Sequence, residues 1–472
     1  MAELQVRSLS GDSTTLDEDA LAQLSGAVRG QVVLPGDGDY DDVRQIWNAM
    51  IDRKPGLIVR CSGTADVMHT VRFARRHNLL VSVRGAGHNI AGKSLSDGAV
   101  LIDLSPMNSV RVDPVAKVAV VGPGATLGDL DHETQAFGLA CPVGINSTTG
   151  VAGLTLGGGF GWLSRTFGMT VDNLVAADVV NADGELLRCN ADQSPDLFWA
   201  IRGGGGNFGI VTSFEFQLHA VGPEVMAGPV VFPFEQAGNV LKAYRDFCAG
   251  CADELAAWAV IRDAPPLPFL PPEAHGTRVL IIVGLYSGDL ADGEKAMAPL
   301  RQLGEPIADG FGAYPLAGFQ QAFDPLLTSG ARNYWKSHNF TGLDDKLIDM
   351  LVDYGNRLPS PQSEIFVAQM GGATNRVDPS ATAYPHRDVE FIMNVHTRWD
   401  APAQDQTCID WARDFYEATR PLATGGVYVN FISEGEDRIE GAYGANYERL
   451  ARVKAQYDAD NFFRENQNIR PK

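Results

Sequence analysis

Residues 84–95 read RGAGHNIAGKSL. Within them Gly87–Ser94 fit G-x-x-x-x-G-K-[ST], the pattern of a loop that grips a nucleotide triphosphate. Such a loop needs a strand before it and a helix opening straight after, because the helix N-terminus shares the phosphates with the loop amides. The strand is there as LLVSVRG (79–85). The helix is not. After Ser94 only Leu95 and Ser96 precede the turn pair Asp97-Gly98, and AVLIDLS (99–105) is apolar and reads as a strand. The stretch GGGNFG (204–209) matches G-x-G-x-x-G, but the helical DLFWAIR comes before it and the strand IVTSFEF after it. That is the reverse of the order a dinucleotide fold requires. Both familiar motifs therefore fail in context.

Three glycine-rich segments remain to be explained: RGAGHNIAG (84–92), TTGVAGLTLGGGFGW (148–162) and GGGGNFGIV (203–211). Glycines cluster where backbone comes close to a ligand or takes positive φ, and rows of exposed N–H groups cradle anions. Three such loops in one mixed α/β region point to a large ligand carrying a pyrophosphate.

The rest of the chain frames that reading. With 472 residues, 45% hydrophobic and 20% charged, it has material for two or three domains. A net charge of −20 argues against a nucleic-acid partner, which needs a basic footprint. No apolar run approaches a membrane span, and the polar, acidic start lacks the features of an export signal. Six cysteines in so long a chain are not a disulfide framework, so reduced thiols and a cytoplasmic location are expected. Cys248-Ala-Gly-Cys251 lacks a second pair at zinc-site spacing and reads as small buried residues at a helix end. The first thirty residues suggest a lead-in with one amphipathic helix, and DVRQIWNAMI (42–51) reads helical. Beyond residue 221, strands such as RVLIIVGLYS, EIFVAQM and FIMNVHTRW alternate with helical stretches, which predicts an antiparallel sheet. VYVNF (427–431) reads as a further strand.

Taken together, VRGAGHN, GVAGLTLGGGFGWLSRTFG, DNL, GGGGNFGIVT and AYGANYERLARVKAQYDADNFFRENQNI resemble the berberine bridge enzyme-like FAD-linked oxidases, close to bacterial 6-hydroxynicotine oxidase-like enzymes. These sit within the wider vanillyl-alcohol oxidase, PCMH-type family. The resemblance implies an α+β fold: a PCMH-type FAD-binding domain of two α/β subdomains, and a substrate domain whose antiparallel sheet is covered by helices. Boundaries follow as a lead-in at 1–34, an FAD-binding domain at 35–220, a substrate domain at 221–425 and a segment at 426–472 that returns to the FAD domain.

It further implies hydride transfer from a small organic substrate to FAD, with O2 as acceptor and H2O2 as product. A dehydrogenase or monooxygenase with the same cofactor site is the alternative. FAD would be attached covalently through His88. The cofactor set carried over comprises Arg84, Gly85, Ala86, Gly87, His88, Asn89 and Ser94 of the first loop, with Gly122. The second loop adds Thr148, Thr149, Gly150, Gly153, Leu154, Gly158 and Trp162. Asp172 and Leu174 come from DNL, Gly209, Ile210 and Val211 from the third loop, and Tyr443 and Asn446 from the C-terminal motif. Members with a second flavin link carry a cysteine four residues before the glycine matching Gly150, which here is Asn146. Cys141 lies nine before it, so a single His88 linkage is favoured over an added bond from Cys141.

The family's usual base, a tyrosine after the Asn of Y-x-N-Y, is Phe431 here, in Tyr428-Val429-Asn430-Phe431. If this stretch were a strand, alternation would put Tyr428 on the face opposite Phe431. Gln369, Asn394 and His396 are the other candidate catalytic groups, the last because imidazole titrates near neutral pH. Thr149 and Leu154 are candidates for an oxygen pocket beneath the ring. An amine could do without a base, since its lone pair stabilises the oxidised product. No metal site is indicated.

Overall fold

The structure, a computed structural model, describes residues 4–433 and 439–472. Three main sheets organise it. The first has four strands in the order Gln31–Val33, Leu57–Arg60, Val100–Asp103 and Val81–Arg84. Its last three strands run parallel, as the β-α-β reading of 57–84 requires. The crossover helix Thr64–Arg76 buries Val67, Val71 and Ala74, the i, i+4, i+7 stripe of an amphipathic helix.

The second sheet is antiparallel, with five strands in the order Leu186–Asn190, Leu174–Val180, Ile210–Gln217, Val118–Val121 and Val110–Asp113. The Asp183-Gly184 turn joins the hairpin expected from sequence, with Gly184 at φ +73°. Residues 4–30 contain the expected helix, and a hairpin precedes it. They form a hairpin of Leu4–Arg7 with Ser13–Leu16 and then a helix Glu18–Ala27. Val6, Leu16, Ala20 and Leu24 pack into the core of the first sheet.

The third sheet is antiparallel and has eight strands between Glu224 and Trp399. Leu255–Asp263, Glu364–Gln369, Phe391–Trp399 and Arg332–Phe340 lie side by side in that order, the last at the sheet's edge. Period-two alternation splits these strands cleanly. Ala257, Ala259, Ile261, Ile365, Val367, Met393 and Val395 pack under the helices Ala237–Cys248, Asp345–Asn356 and Asp405–Thr419. The other face carries Trp258, Phe366, Asn394 and His396, and it looks toward the glycine loops. Each fully buried aromatic side chain here contributes roughly 1.5–3 kcal/mol.

Two expectations fail. The helix at DVRQIWNAMI stops at Val43. Asn48 explains why: its amide donates to Ile90 O and Asn333 O and accepts from Asn333 N, so tertiary bonds outweigh local helix propensity. VYVNF is not a strand either; Val429–Phe431 is one 3-10 turn. Tyr428 and Phe431 therefore stand edge to face, 4.9 Å between centroids, rather than on opposite faces.

Candidate functional site

The strand Val81–Arg84 ends in the first glycine loop. Arg84 is locked to Asp103 at 2.8 Å and to the backbone at Val43 and Gln45, so its side chain turns away from the loop's interior. A Cβ on Gly85 would lie 2.9 Å from Pro123 O, and one on Gly150 2.9 Å from the Cβ of Ala86. Thus the first glycine loop packs closely on Pro123 and on the start of the second glycine loop. Gly87 takes φ +75°, a conformation costly for any side chain. By contrast a Cβ on Gly153 or Gly206 would meet nothing within 4 Å. Both line a cavity of about 340 Å³ that runs from the glycine loops to the inner face of the large sheet.

His88 stands at the junction. Trp47 stacks on its ring at 5.1 Å and 22°. Thr148 Oγ1 lies 2.9 Å from Nε2, and Thr149 Oγ1 3.5 Å from Nδ1. The direction of the first bond can be deduced. Asn146 Oδ1 accepts from Thr148 N at 3.0 Å, which identifies it as the oxygen. Thr148 Oγ1 donates to that same oxygen at 2.7 Å, so it accepts from Nε2–H. Nδ1 is left with its lone pair. Burial lowers the His88 pKa to about 4, which keeps the ring neutral at physiological pH. The loop that grips His88 is itself held from the far side: Ser147 N donates to Asp324 Oδ1 at 2.9 Å, and Gln320 Nε2 donates to Gly144 O at 3.1 Å.

At the other end, Phe160, Trp258, Trp335, Phe366, Tyr428 and Phe431 form aromatic walls. Phe431 meets Trp335 edge to face at 5.4 Å and Phe366 at 6.0 Å. Polar groups in these walls fall into two kinds. Asn394 is fully buried, and neither atom of its amide has a partner; the indole N–H groups of Trp258 and Trp335 are also unpartnered. His396 and Glu364 are fully engaged. His396 Nδ1 lies 3.3 Å from Glu364 Oε1, and its Nε2 lies 3.0 Å from Asn333 Oδ1. Arg262 donates to Glu364 Oε2 at 2.8 Å. Burial pushes Glu364 up, but Arg262, His396 and Arg398 outweigh it and hold the carboxyl at about 2. Burial draws the His396 pKa down against the pull of Glu364.

Of the residues singled out from sequence, the structure gathers Gly85, Ala86, Gly87, His88, Asn89, Ser94, Thr149, Gly150, Gly153 and Leu154 around the cavity. Gly209, Ile210, Val211, Tyr443, Asn394 and His396 join them. Others lie elsewhere, each for a physical reason. Thr148 does not line the cavity but bonds His88 and Asn146. Gly122 is a crossing point, where a Cβ would meet Met107 O at 2.1 Å, and a Cβ on Gly158 would meet Met169 at 2.9 Å. Trp162 packs on Trp258 at 4.3 Å. Asp172 is paired with Arg387 at 2.7 Å, and Leu174 belongs to the core of the second sheet. Asn446 caps a turn by donating to Pro379 O and Thr382 O. Gln369 points to the helix-covered face, accepting from Ala257 N and donating to Cys251 Sγ, so it does not reach the cavity. Cys141 is buried in the core beside Leu139 and Val143, while Asn146 lines the cavity.

Sequence reasoning missed Trp47, Glu364, Trp335 and Phe160. It also overlooked Asn430, which donates to Leu154 O and to Tyr428 and fills the space a Cβ on Gly157 would need. No linear signal marked Glu364, whose same-face neighbours on its own strand are Phe366 and Ala368.

Comparisons agree with this geometry. The family models described as FAD binding domain and as berberine and berberine like match residues 55–190 and 427–470. An FAD-linked oxidoreductase of Dictyostelium discoideum is 31% identical over 454 residues, covering 94% of this chain and 95% of its own. The (R)-6-hydroxynicotine oxidase of Paenarthrobacter nicotinovorans is 30% identical, covering 94% and 97%. The solved 6-hydroxy-D-nicotine oxidase of Arthrobacter nicotinovorans superposes with a TM-score of 0.84 at 28% identity, over 94% of this chain and 98% of that one. A xylooligosaccharide oxidase from Myceliophthora thermophila superposes at 0.83 with 25% identity, over 96% and 99%. The chain therefore belongs to the berberine bridge enzyme-like, PCMH-type FAD-linked oxidoreductases, and it is an FAD-dependent enzyme of that family.

Proposed function

We propose that the chain is an oxidase that holds FAD covalently through Nδ1 of His88, takes a small organic substrate against the large sheet, and uses O2, releasing H2O2. When bound, FAD supplies two-electron oxidation chemistry. The residues fit this group. Gly153 and Gly206 leave room where a side chain would intrude, and the loop amides of 85–89 and 205–206 suit a pyrophosphate. The observation that carries the reading is the state of His88: neutral, oriented by Thr148, with Nδ1 keeping its lone pair and approached at 3.5 Å by Thr149 Oγ1 at the join between cradle and aromatic walls.

The chain's own residues divide the remaining work. Trp47 and Thr148 fix the plane of the imidazole. Thr149 and Leu154, both small enough to leave space beneath a flat ring, form the oxygen side. Asn394 contacts the substrate with its free amide. His396, with both nitrogens engaged, is a positioning residue of the sheet wall rather than a free base. Domain limits of 35–220, 221–425 and 426–472 accommodate this division. A cytoplasmic location fits six free cysteines. Among the described residues no helix is long and apolar enough to cross a membrane.

Mass spectrometry of the intact protein and its tryptic peptides tests the attachment. The flavin mass is expected on the peptide containing His88 and not on that containing Cys141. Nitrogen-resolved NMR of that peptide should assign the bond to Nδ1. Attachment at Nε2, or flavin that stays in the supernatant after acid precipitation, would refute it. An oxygen electrode with peroxide detection tests the acceptor.

A further inference from the structure

We propose that Cys248 and Cys251 form a site of reversible oxidation by hydrogen peroxide, at which Cys251 reacts first and Cys248 then closes a disulfide. The site lies on the helix-covered side of the large sheet, apart from the cavity, and does not depend on the flavin.

Placement brings the pair together. Cys248 ends the helix Ala237–Cys248, and Ala249 keeps helical angles at φ −64° and ψ −19°. Gly250 N donates to Phe247 O at 3.1 Å, so the chain is still turning. Three residues of such a turn set Cα atoms roughly 5 Å apart, inside the range of about 4.4–6.8 Å that a disulfide bridges. Cys251 Sγ lies 3.6 Å from Cys248 O. The amide of Gln369 touches both residues. Its Oε1 accepts from Ala257 N at 3.1 Å, which fixes the orientation. Its Nε2 then donates to Cys248 O at 3.3 Å and to Cys251 Sγ at 3.1 Å.

The two sulfurs stand in unlike surroundings. Cys251 is partly exposed, so peroxide can reach it. Besides Gln369, the buried Arg165 aims Nη2 at its Sγ from 3.5 Å, sharing that group with Cys251 O and Ala252 O. Negative charge that develops on the sulfur, or on oxygen it takes up, therefore meets two fixed donors. The effect is directional rather than one of net charge. Asp253 lies 3.8 Å from Arg165 and 2.6 Å from Arg376, and Glu390 and Arg165 both press on Gly371. Cys248 is buried in the core with Tyr244, and burial pushes its thiol up, so it keeps its proton until an oxidised Cys251 is presented to it. The other four cysteines, Cys61, Cys141, Cys189 and Cys408, are buried and have no second cysteine close in sequence.

The chemistry runs in two displacements. Cys251 Sγ attacks one oxygen of H2O2. An S–O bond forms, the O–O bond breaks, and the departing hydroxide takes the thiol proton and leaves as water. Sulfur is thereby oxidised to sulfenic acid and peroxide is reduced. Cys248 Sγ then displaces the hydroxyl. The S–S bond forms, the S–O bond breaks, and the Cys248 proton leaves with that hydroxyl as a second water. A dithiol reductant reverses the result.

The test uses the flavin-loaded full chain. It is treated with H2O2 as an added reagent, blocked with N-ethylmaleimide and cut with trypsin, which leaves both cysteines on the peptide 246–262. That peptide should be the first to lose alkylation, should become two hydrogens lighter, and should regain both thiols with dithiothreitol. In Cys248→Ser, dimedone should trap sulfenic acid at Cys251. Cys251→Ser should leave Cys248 a thiol at doses that close the native pair. Gln369→Met should slow closure about tenfold, as expected for one lost hydrogen bond to a charged group. If that variant does not fold, the cysteine variants decide alone. Sulfinic acid at Cys251 without a disulfide, earlier oxidation of another cysteine, or a dimedone adduct on Cys248 in Cys251→Ser would each overturn the proposal. So would an unchanged rate in folded Gln369→Met, or intact thiols at a dose that oxidises N-acetylcysteine. Because the peroxide is added, none of these outcomes bears on whether the protein is itself an oxidase.

Discussion

The two ends of the cavity are made of different material. The glycine-loop end is built of backbone. Missing side chains let the first loop press on Pro123 at Gly85 and the second press on the first at Gly150, and the imidazole of His88 has its donor satisfied within the protein. The sheet end is built of side chains, and Asn394, Trp258 and Trp335 are left there with unmet hydrogen-bonding groups. Backbone amides can serve the same nucleotide in any relative, whereas side chains on a sheet face can be exchanged one at a time. The difference separates what the family shares from what this chain holds for itself.

The sharpest way to break that comparison is at Lys454. It is fully buried and donates to Asn207 O, Phe463 O and Asp458, tying the helix Tyr447–Tyr457 to a segment that lines the glycine-loop end. Lys454→Met would strand the Asp458 carboxylate and should cost about 3–5 kcal/mol in urea unfolding, with loss of bound flavin. The counterpart at the sheet end is Glu364→Gln. The folded carboxyl sits at about 2, below its ordinary 4.5, so its contribution is present in full above 4.5 and fades as pH falls toward 2. A deficit of about 3 kcal/mol at neutral pH is expected, with melting temperatures converging in acid.

Two glycines then sharpen the contrast. Gly150→Val should destabilise by about 1–3 kcal/mol through collision with Ala86. Gly206→Val should leave the unfolding energy within about 0.5 kcal/mol while lowering flavin content, because its side chain intrudes only on the cavity. Equal losses of stability from both would mean the space at Gly206 serves packing. The smallest change is expected from Phe431→Tyr, within about 0.5 kcal/mol. It should add slow flavin bleaching by benzyl alcohol, since it restores the hydroxyl that Phe431 lacks.

How far the sequence could be read follows the same divide. RGAGHN and GVAGLTLGGGFG are local patterns, and their meaning survives without knowing the fold. Trp47 was hidden because DVRQIWNAMI has helical composition, and only the distant bonds of Asn48 to Ile90 and Asn333 override it. Glu364 meets His396 through the register of two strands, a relation no linear pattern encodes. Gln369 and Asn394 looked equivalent as polar strand residues. Their opposite fates depend on which face the helices cover. VYVNF has the composition of a strand, yet Val429–Phe431 turn and bring Tyr428 beside Phe431, and turns that satisfy tertiary demands leave little trace in composition.

The grip on His88 has a consequence for how the protein is made. Ser147, in the loop that holds the imidazole, is anchored by Asp324, 177 positions downstream, and Tyr428, Tyr443 and Phe463 also line the cavity. A nascent chain cannot possess this chamber until synthesis has passed those residues. Colour should accordingly appear only once those residues have emerged from the ribosome, and messages truncated before codon 463 should yield colourless polypeptide however well their outer sheets form.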